Sequence, residues 1–481
     1  MKQFKVLVAL VLAMMMTLAL CSSAMAATIT INRNTAGNWN PSAESAKATF
    51  TPHKVFDAII TTAGTTTNGV YTPGVVVYTV DTQAKADAVN ALTTLKAEAA
   101  SDGKWYISKE GTPSDADILA DIKTLVTGNP SLFPAGTPVT SDTNPVVINV
   151  SDVGYYYIEA SNGKNVAVQT IDDVTITEKN DYPTIDKKQK QESGEEYKDE
   201  AEPAEIGSYI DYQLIVHIPA DATKQIAVID KMSAGLAYDD TTGLTLSPNV
   251  TYTDLTSADD GYDANAAWQI KFAPDVVEAN RGQNITITYR AKVTSAALTD
   301  TGKENEVKLY YDNSNYILKD DVDYEIYYTG IEKVELGNDS VKLDGVEFTL
   351  KAGNDEIKVS KPDGKDYYIP DANGSSTVVT ANGGIIKIRG LDNDKTYTLT
   401  ETKTKAGYNL LKDPKTLTLV KDEGADIPTN ATFDKVENGK GAELPSTGGI
   451  GTTIFYVAGL ILVLGAATIL VARRKAESDA E

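Results

Sequence analysis

Six residues of this 481-residue chain stand where strand alternation puts a polar group on a core face. Successive side chains of a strand point to opposite faces, so residues two apart share one. Lys187 shares parity with Ile185, and Lys333 with Ile331. Asp230 follows Ile226 and Val228 on one face, ahead of Met232, and Glu401 follows Tyr397 and Leu399. Asn305 heads the face Val307, Leu309 and Tyr311, while Asn438 shares parity with Val436. Two stretches of chain thus each offer a lysine near the start, an asparagine near the end and an acid between. Burial disfavours charge, lowering a lysine pKa and raising a carboxyl pKa. A neutral amine is a nucleophile, and a protonated acid can polarise an amide and shuttle protons. Held in contact, amine and amide can condense without an enzyme, because orientation supplies a large effective concentration. The product is a Lys–Asn isopeptide bond, with release of ammonia. The alternative at this point is a set of edge positions reaching solvent, since strand parity fails at every bulge.

A second reactive stretch lies near the C-terminus. Leu444-Pro445-Ser446-Thr447-Gly448 runs into an apolar segment over residues 454–472 and then Arg473-Arg474-Lys475. That segment has about the length a helix needs to cross a bilayer core. The basic triplet holds its end in the cytoplasm, so everything upstream sits outside. At the other end Lys2 and Lys5 precede an apolar run over 6–20, and Ala24-Met25-Ala26 supplies the small-residue cleavage pattern of a secretory signal over 1–26. The one cysteine, Cys21, lies inside that signal, and Leu20 before it is too bulky for a typical lipoprotein cut. The mature chain therefore lacks disulfides although it is exported, so another covalent staple is worth seeking. A net charge of −23 repels nucleic acid and excludes it as a partner.

The elements that must position these residues read as mostly β. Residues 27–181 form a mixed α and β domain, with strands over 75–80, 146–150, 155–158 and 166–177. One predicted helix spans 84–99, with Val89, Leu92 and Leu95 on one face. Another spans 115–127, with Ile118, Leu119, Ile122, Leu125 and Val126 inward, Ser114 as N-cap and Gly128 as stop. Tyr155-Tyr156-Tyr157 reads as packing on a sheet rather than as a sugar platform. Residues 182–329 alternate almost strictly, as at 209–218 and 285–293, and read as a β-sandwich. Residues 330–443 repeat the style at smaller size. The fold class is tandem immunoglobulin-like β-sandwiches in an elongated rod, the first domain carrying inserted helices. A sorting motif at 444–448, a transmembrane segment at 449–472 and a cytoplasmic tail at 473–481 complete it. His53 and His217 have no nucleophile motif near them, and the acidic turns lack EF-hand spacing. No cofactor or metal site is expected.

The ordered triplet of motif, span and basic tail resembles the cell-wall sorting signal of Gram-positive surface proteins. The resemblance implies that a sortase thiol cuts between Thr447 and Gly448 and holds Thr447 as an acyl-enzyme. Tyr397-Thr398-Leu399-Thr400-Glu401-Thr402, followed by Gly407-Tyr408, resembles the E-box of Gram-positive pilins and collagen-adhesin B-type domains. Lys405 stands where that family often has proline. Pro183-Thr184-Ile185-Asp186-Lys187 and Val228-Ile229-Asp230-Lys231 resemble the fimbrial isopeptide-forming domain. Together these resemble the shaft (major) pilin of sortase-assembled pili. The implied bonds are Lys187–Asn305, promoted by Asp230, and Lys333–Asn438, promoted by Glu401, with no equally clear triad in the first domain.

The same family carries its linking lysine in a Tyr-Pro-Lys-Asn segment, which makes Lys179 of Thr177-Glu178-Lys179-Asn180 the implied acceptor. Implied partners are sortase, copies of the chain joined head to tail, tip and basal pilins, and peptidoglycan, with host or partner-cell ligands left open. The implied location is the cell wall, after a membrane-spanning stage. The alternatives are a monomeric wall-anchored adhesin or basal pilin, and a wall-anchored hydrolase. The hydrolase is disfavoured because no nucleophile, carboxylate pair or metal motif stands out.

Overall fold

The computed structural model describes residues 26–60, 65–67, 70–72, 75–161, 164–191, 196–312, 314–424, 426–428, 431–441 and 450–478. The signal over 1–26 therefore lies outside them except for its last residue, and so does the whole Leu444–Gly448 motif. The chain divides into two compact units, Met1–Ile326 with Glu423–Ala425, and Tyr327–Asp422 with Asp426–Glu481.

The first unit opens with β1 (Ala27–Asn32), which pairs with Val146–Val150 on one side and Val174–Thr177 on the other. A larger sheet is built around β2 (Ala48–Ile60), which lies between the strand Val76–Val80 and β3 (Gly154–Ala160). Because β3 is covered on both faces, Tyr155 and Tyr157 join one apolar core and Tyr156 another. All three tyrosines pack in the sheet's cores, Tyr155 only partly buried.

The predicted helix over 84–99 is half helix and half strand. The helix α1 (Gln83–Asn90) stops at Ala91, and Leu95–Ala99 is a strand paired with Trp105–Lys109. Tertiary hydrogen bonds override the helical spacing here. Asn90 brackets Ala97 through both its amide groups, and the Asp121 carboxylate takes up Thr93 and Thr94. Asp121 lies on α2 (Asp115–Gly128), where Ser114 caps the N-terminus reciprocally with Asp117. The single strand expected over 166–177 is two, Val166–Thr170 and Val174–Thr177, which belong to different sheets.

The remainder of this unit is a two-sheet sandwich. One sheet runs in the order β4 (Thr184–Gln191), β5 (Tyr209–His217), Asn284–Val293 and Leu236–Tyr238, with Thr245–Ser247 paired to Asn284–Val293. The facing sheet centres on β6 (Ile226–Met232), with β7 (Glu304–Tyr311) antiparallel beside it and Tyr316–Glu325 beyond. Alternate residues of β4, β5 and β7 are buried and the rest half-exposed, the period of 2 that a sandwich core imposes. Ser45–Ala46, from the helix-bearing part, extends this facing sheet by pairing with Tyr316 and Ile317.

In the second unit β8 (Tyr327–Glu335) is central to its sheet. It pairs antiparallel with Ile385–Leu391 and parallel with β10 (Asp434–Asn438). The opposite sheet contains Glu347–Ala352 and β9 (Tyr397–Lys403). Ile331, Ile386 and Val436 from one sheet meet Phe348, Leu350 and Leu399 from the other in a single core. A helix, α3 (Ile450–Ser478), forms the C-terminus, with its apolar span over Phe455–Lys475. That span overlaps the expected 449–472, and the helix continues through the basic triplet.

Candidate functional site

Lys187 enters the first sandwich from β4, an edge strand, and points inward between the sheets. Its Nζ donates to Asp230 Oδ2 at 2.5 Å, and both side chains are fully buried. Asp230 lies on β6 and Asn305 on the adjacent β7, both at 0% exposure. Asn305 does not touch Asp230 directly in this arrangement. Its Nδ2 donates to the Tyr289 hydroxyl at 3.1 Å, and that hydroxyl donates to Asp230 Oδ2. Tyr212, stacked on Tyr289 at 5.3 Å, and Trp268, edge-on at 5.0 Å, enclose the cluster. Burial pushes the Lys187 ammonium down and the Asp230 carboxyl up, each opposed by the attraction between them. Both groups are driven toward the neutral pair, amine and carboxylic acid, which is the reactive combination.

The second cluster is built from parallel neighbours. Lys333 lies on β8 and Asn438 on β10, where Glu335 is the direct partner of Asn438 and Val436 that of Lys333. Lys333 Nζ donates to Asn438 Oδ1. Glu401, from β9 in the opposite sheet, comes within 3.0 Å of Lys333 Nζ and accepts from Asn438 Nδ2 at 2.7 Å. Thr404 accepts a further bond from that nitrogen at 2.7 Å. The side chains of Lys333 and Glu401 are fully enclosed, and Phe348 shields the amine from one side at 5.6 Å. Burial lowers the Lys333 pKa against the pull of Glu401. The backbone is set by Gly384 (φ +76°), whose carbonyl accepts from Lys333 N; a Cβ at Gly384 would fall 2.3 Å from the Lys333 carbonyl. Only glycine fits that approach.

All six inward-facing residues read from parity are thus buried, and each acid sits against its lysine. Asn438 meets both partners, whereas Asn305 is joined to Asp230 through a phenol. Strand parity did not single out Tyr289 or Thr404. Tyr289 does share its face with Ile285 and Ile287, but a tyrosine there reads as packing until its hydroxyl is located.

Lys179 is exposed between two anchored neighbours. Glu178 is turned inward, accepting from Arg33 Nε at 3.0 Å and from the Tyr182 hydroxyl at 2.9 Å. Asn180 is buried and accepts from Lys164 N at 2.6 Å. Lys179 also borders a groove of about 780 Å³ whose walls include Phe56, Tyr78, Ile107 and Tyr155. Parity alone had put Lys179 outward, but the Arg33 and Tyr182 buckle that turns Glu178 away has no local signature in the sequence.

Residues 329–435 match the SpaA prealbumin-like fold domain, and residues 436–478 match the LPXTG cell wall anchor motif. The chain is therefore a wall-anchored surface protein that passes through a membrane-spanning stage. It is similar to fimbrial subunit type 1 of Actinomyces viscosus, with 26% identity over 157 residues, and spans 30% of that relative's length and 28% of its own. Among solved structures it is similar to the major pilin SpaD of Corynebacterium diphtheriae, with TM-score 0.46 and 14% identity over 88% of this chain and 100% of that one. It is also similar to the major pilin SpaA of the same organism, with TM-score 0.46 and 15% identity over 86% and 100% of the two chains.

Proposed function

We propose that the chain is the shaft subunit of a covalent cell-surface pilus, reinforced by Lys187–Asn305 and Lys333–Asn438 isopeptide bonds. Asp230 promotes the first and Glu401 the second. In the same reading 27–181, 182–329 and 330–443 are successive pilin domains. Sortase joins Thr447 of one copy to Lys179 of the next, and the last copy to peptidoglycan, with tip and basal pilins at the ends. The chain is then a structural protein, and its only chemistry is on itself. The observation that carries this reading is the enclosed Lys333, Glu401 and Asn438 set inside a pilin-type, wall-anchored chain. Amine, amide and acid are in mutual hydrogen-bond and ion-pair contact there, and that proximity supports the reading.

Each condensation expels one ammonia, about 17 Da, as the amine displaces the amide nitrogen. The full-length chain from a host without sortase is expected to weigh two ammonias less than its sequence after signal removal. A mass equal to the unmodified sequence rules the bonds out. In the native cell wall, a ladder of SDS-resistant bands is expected; a single monomeric band selects the wall-anchored adhesin instead.

A further inference from the structure

The two clusters differ in how the acid reaches the amide. Glu401 accepts directly from Asn438 Nδ2 at 2.7 Å. In the Lys187 cluster the path from Asp230 to Asn305 Nδ2 runs through the Tyr289 hydroxyl, 3.1 Å from that nitrogen. The same Asp230 oxygen, Oδ2, holds Lys187 Nζ at 2.5 Å. Its other oxygen, Oδ1, has no hydrogen-bond partner among the described residues. Lys187, Asp230 and Asn305 are 0% exposed and Tyr289 5%, so the reacting groups are connected by side chains rather than by bulk solvent.

Condensation needs a proton moved between two places. The attacking amine must lose one as its bond to Asn305 Cγ forms, and the departing nitrogen must gain one to leave as ammonia. Asp230 is in contact with the first nitrogen and not with the second. A hydroxyl is both donor and acceptor and rotates to suit. We propose that Tyr289 is a catalytic residue of the Lys187–Asn305 condensation, handing its phenol proton to Asn305 Nδ2 while taking one from Asp230.

The step balances. Lys187 first gives a proton to Asp230, leaving a neutral amine and a carboxylic acid. The amine lone pair attacks Cγ. As the Cγ–Nδ2 bond breaks, Tyr289 protonates Nδ2 and is reprotonated by Asp230, which takes the remaining surplus proton from Nζ. The products are the secondary amide, ammonia and a protonated Asp230, with the phenol restored. Burial holds the Tyr289 pKa well above its ordinary value, so the phenol passes protons without resting as phenolate. The ring itself packs on Tyr212 and Trp268, contacts that phenylalanine retains.

This inference rests on the condensation reading, and the experiment separates the two. Full-length chain is made by cell-free translation, and the 187–305 and 333–438 crosslinked peptides are followed by mass over time. Tyr289→Phe is expected to slow the first on the order of 10²-fold, the usual scale for a lost general acid–base, and to leave the second unchanged. Fluorinated tyrosine at 289 keeps the shape and changes the phenol acidity, so its rate is expected to shift even if Tyr289→Phe folds poorly. Tyr289→Phe reacting at the wild-type rate, or a fluorotyrosine rate equal to that of tyrosine, overturns the relay. A wild type lacking the 187–305 peptide while 333–438 forms overturns the condensation at this site, and the relay with it.

Discussion

Glu401 is the residue on which the second cluster turns, because it holds both the amine and the amide. In the unreacted chain an enclosed lysine is tolerated only beside its acid; removing one partner of a buried pair costs about 3–5 kcal/mol. Glu401→Ala is therefore expected to do two things at once. It should leave Lys333 and Asn438 uncondensed, so that intact mass shows one ammonia loss, from Lys187 and Asn305, where the wild type shows two. It should also lower the melting temperature of the second unit beyond the loss of the crosslink alone. Lys333→Met with Asn438→Leu supplies the reference, an uncrosslinked core with no buried charge. If Glu401→Ala melts with that reference, the buried amine carries no penalty and the argument for a depressed Lys333 pKa fails. If it still loses two ammonias, Glu401 is not the promoting acid.

At the scale of elements, what alternation could specify was recovered, and what depends on distant partners was not. Period 2 along β4, β7 and β9 put Lys187, Asn305 and Glu401 on core faces without knowledge of the sheets, while Asp230 followed Ile226 and Val228 on a strand, β6, that is buried on both faces from Ile226 to Asp230. The 84–99 segment shows the limit. Val89, Leu92 and Leu95 have helical spacing, yet Leu95 belongs to a strand because Asp121, from a different helix, takes up the Thr93 and Thr94 groups that lead into it. Burial pushes the Asp121 carboxyl up, but the hydrogen bonds from Thr94 and Thr93 outweigh it and hold the group below its usual value. A carboxyl with a lowered folded pKa contributes stability that is complete above its unfolded value, about 3.9, and is lost as pH falls toward the folded one. Asp121→Ala is expected to destabilise the first unit by about 0.5–1.5 kcal/mol at pH 7, the net worth of a hydrogen bond, since water takes over the exposed Thr93 groups and only Thr94 is buried. Thermal melts should show that difference shrinking as the pH is taken below 4. A difference that stays constant with pH would mean that Asp121 acts through packing and not through its charge.

For the whole molecule, the question is whether covalent force passes from copy to copy through Lys179. Glu178 and Asn180 are both buried and bonded, so the backbone on either side of Lys179 is fixed while its side chain stays exposed. An exposed amine carried on a held backbone beside a groove suits attack on an acyl-enzyme, because little backbone freedom remains to be lost on docking. Lys179→Ala is expected to collapse the SDS-resistant ladder to monomer, while the two internal ammonia losses persist, since neither cluster touches this segment. Arg33→Ala tests the buckle separately. It removes one of the donors that hold Glu178 inward, leaving the Tyr182 hydroxyl and the Asn34 N–H, and is expected to weaken the ladder without abolishing it, because the amine remains. Thr447→Ala acts at the other end of the proposed bond and should also remove the ladder. It differs in leaving the chain detergent-extractable from the membrane, whereas Lys179→Ala monomers remain attached to peptidoglycan. A ladder that survives Lys179→Ala moves the linkage to another lysine. A ladder lost in Lys179→Ala together with wall attachment would instead place Lys179 in recognition of the chain by sortase.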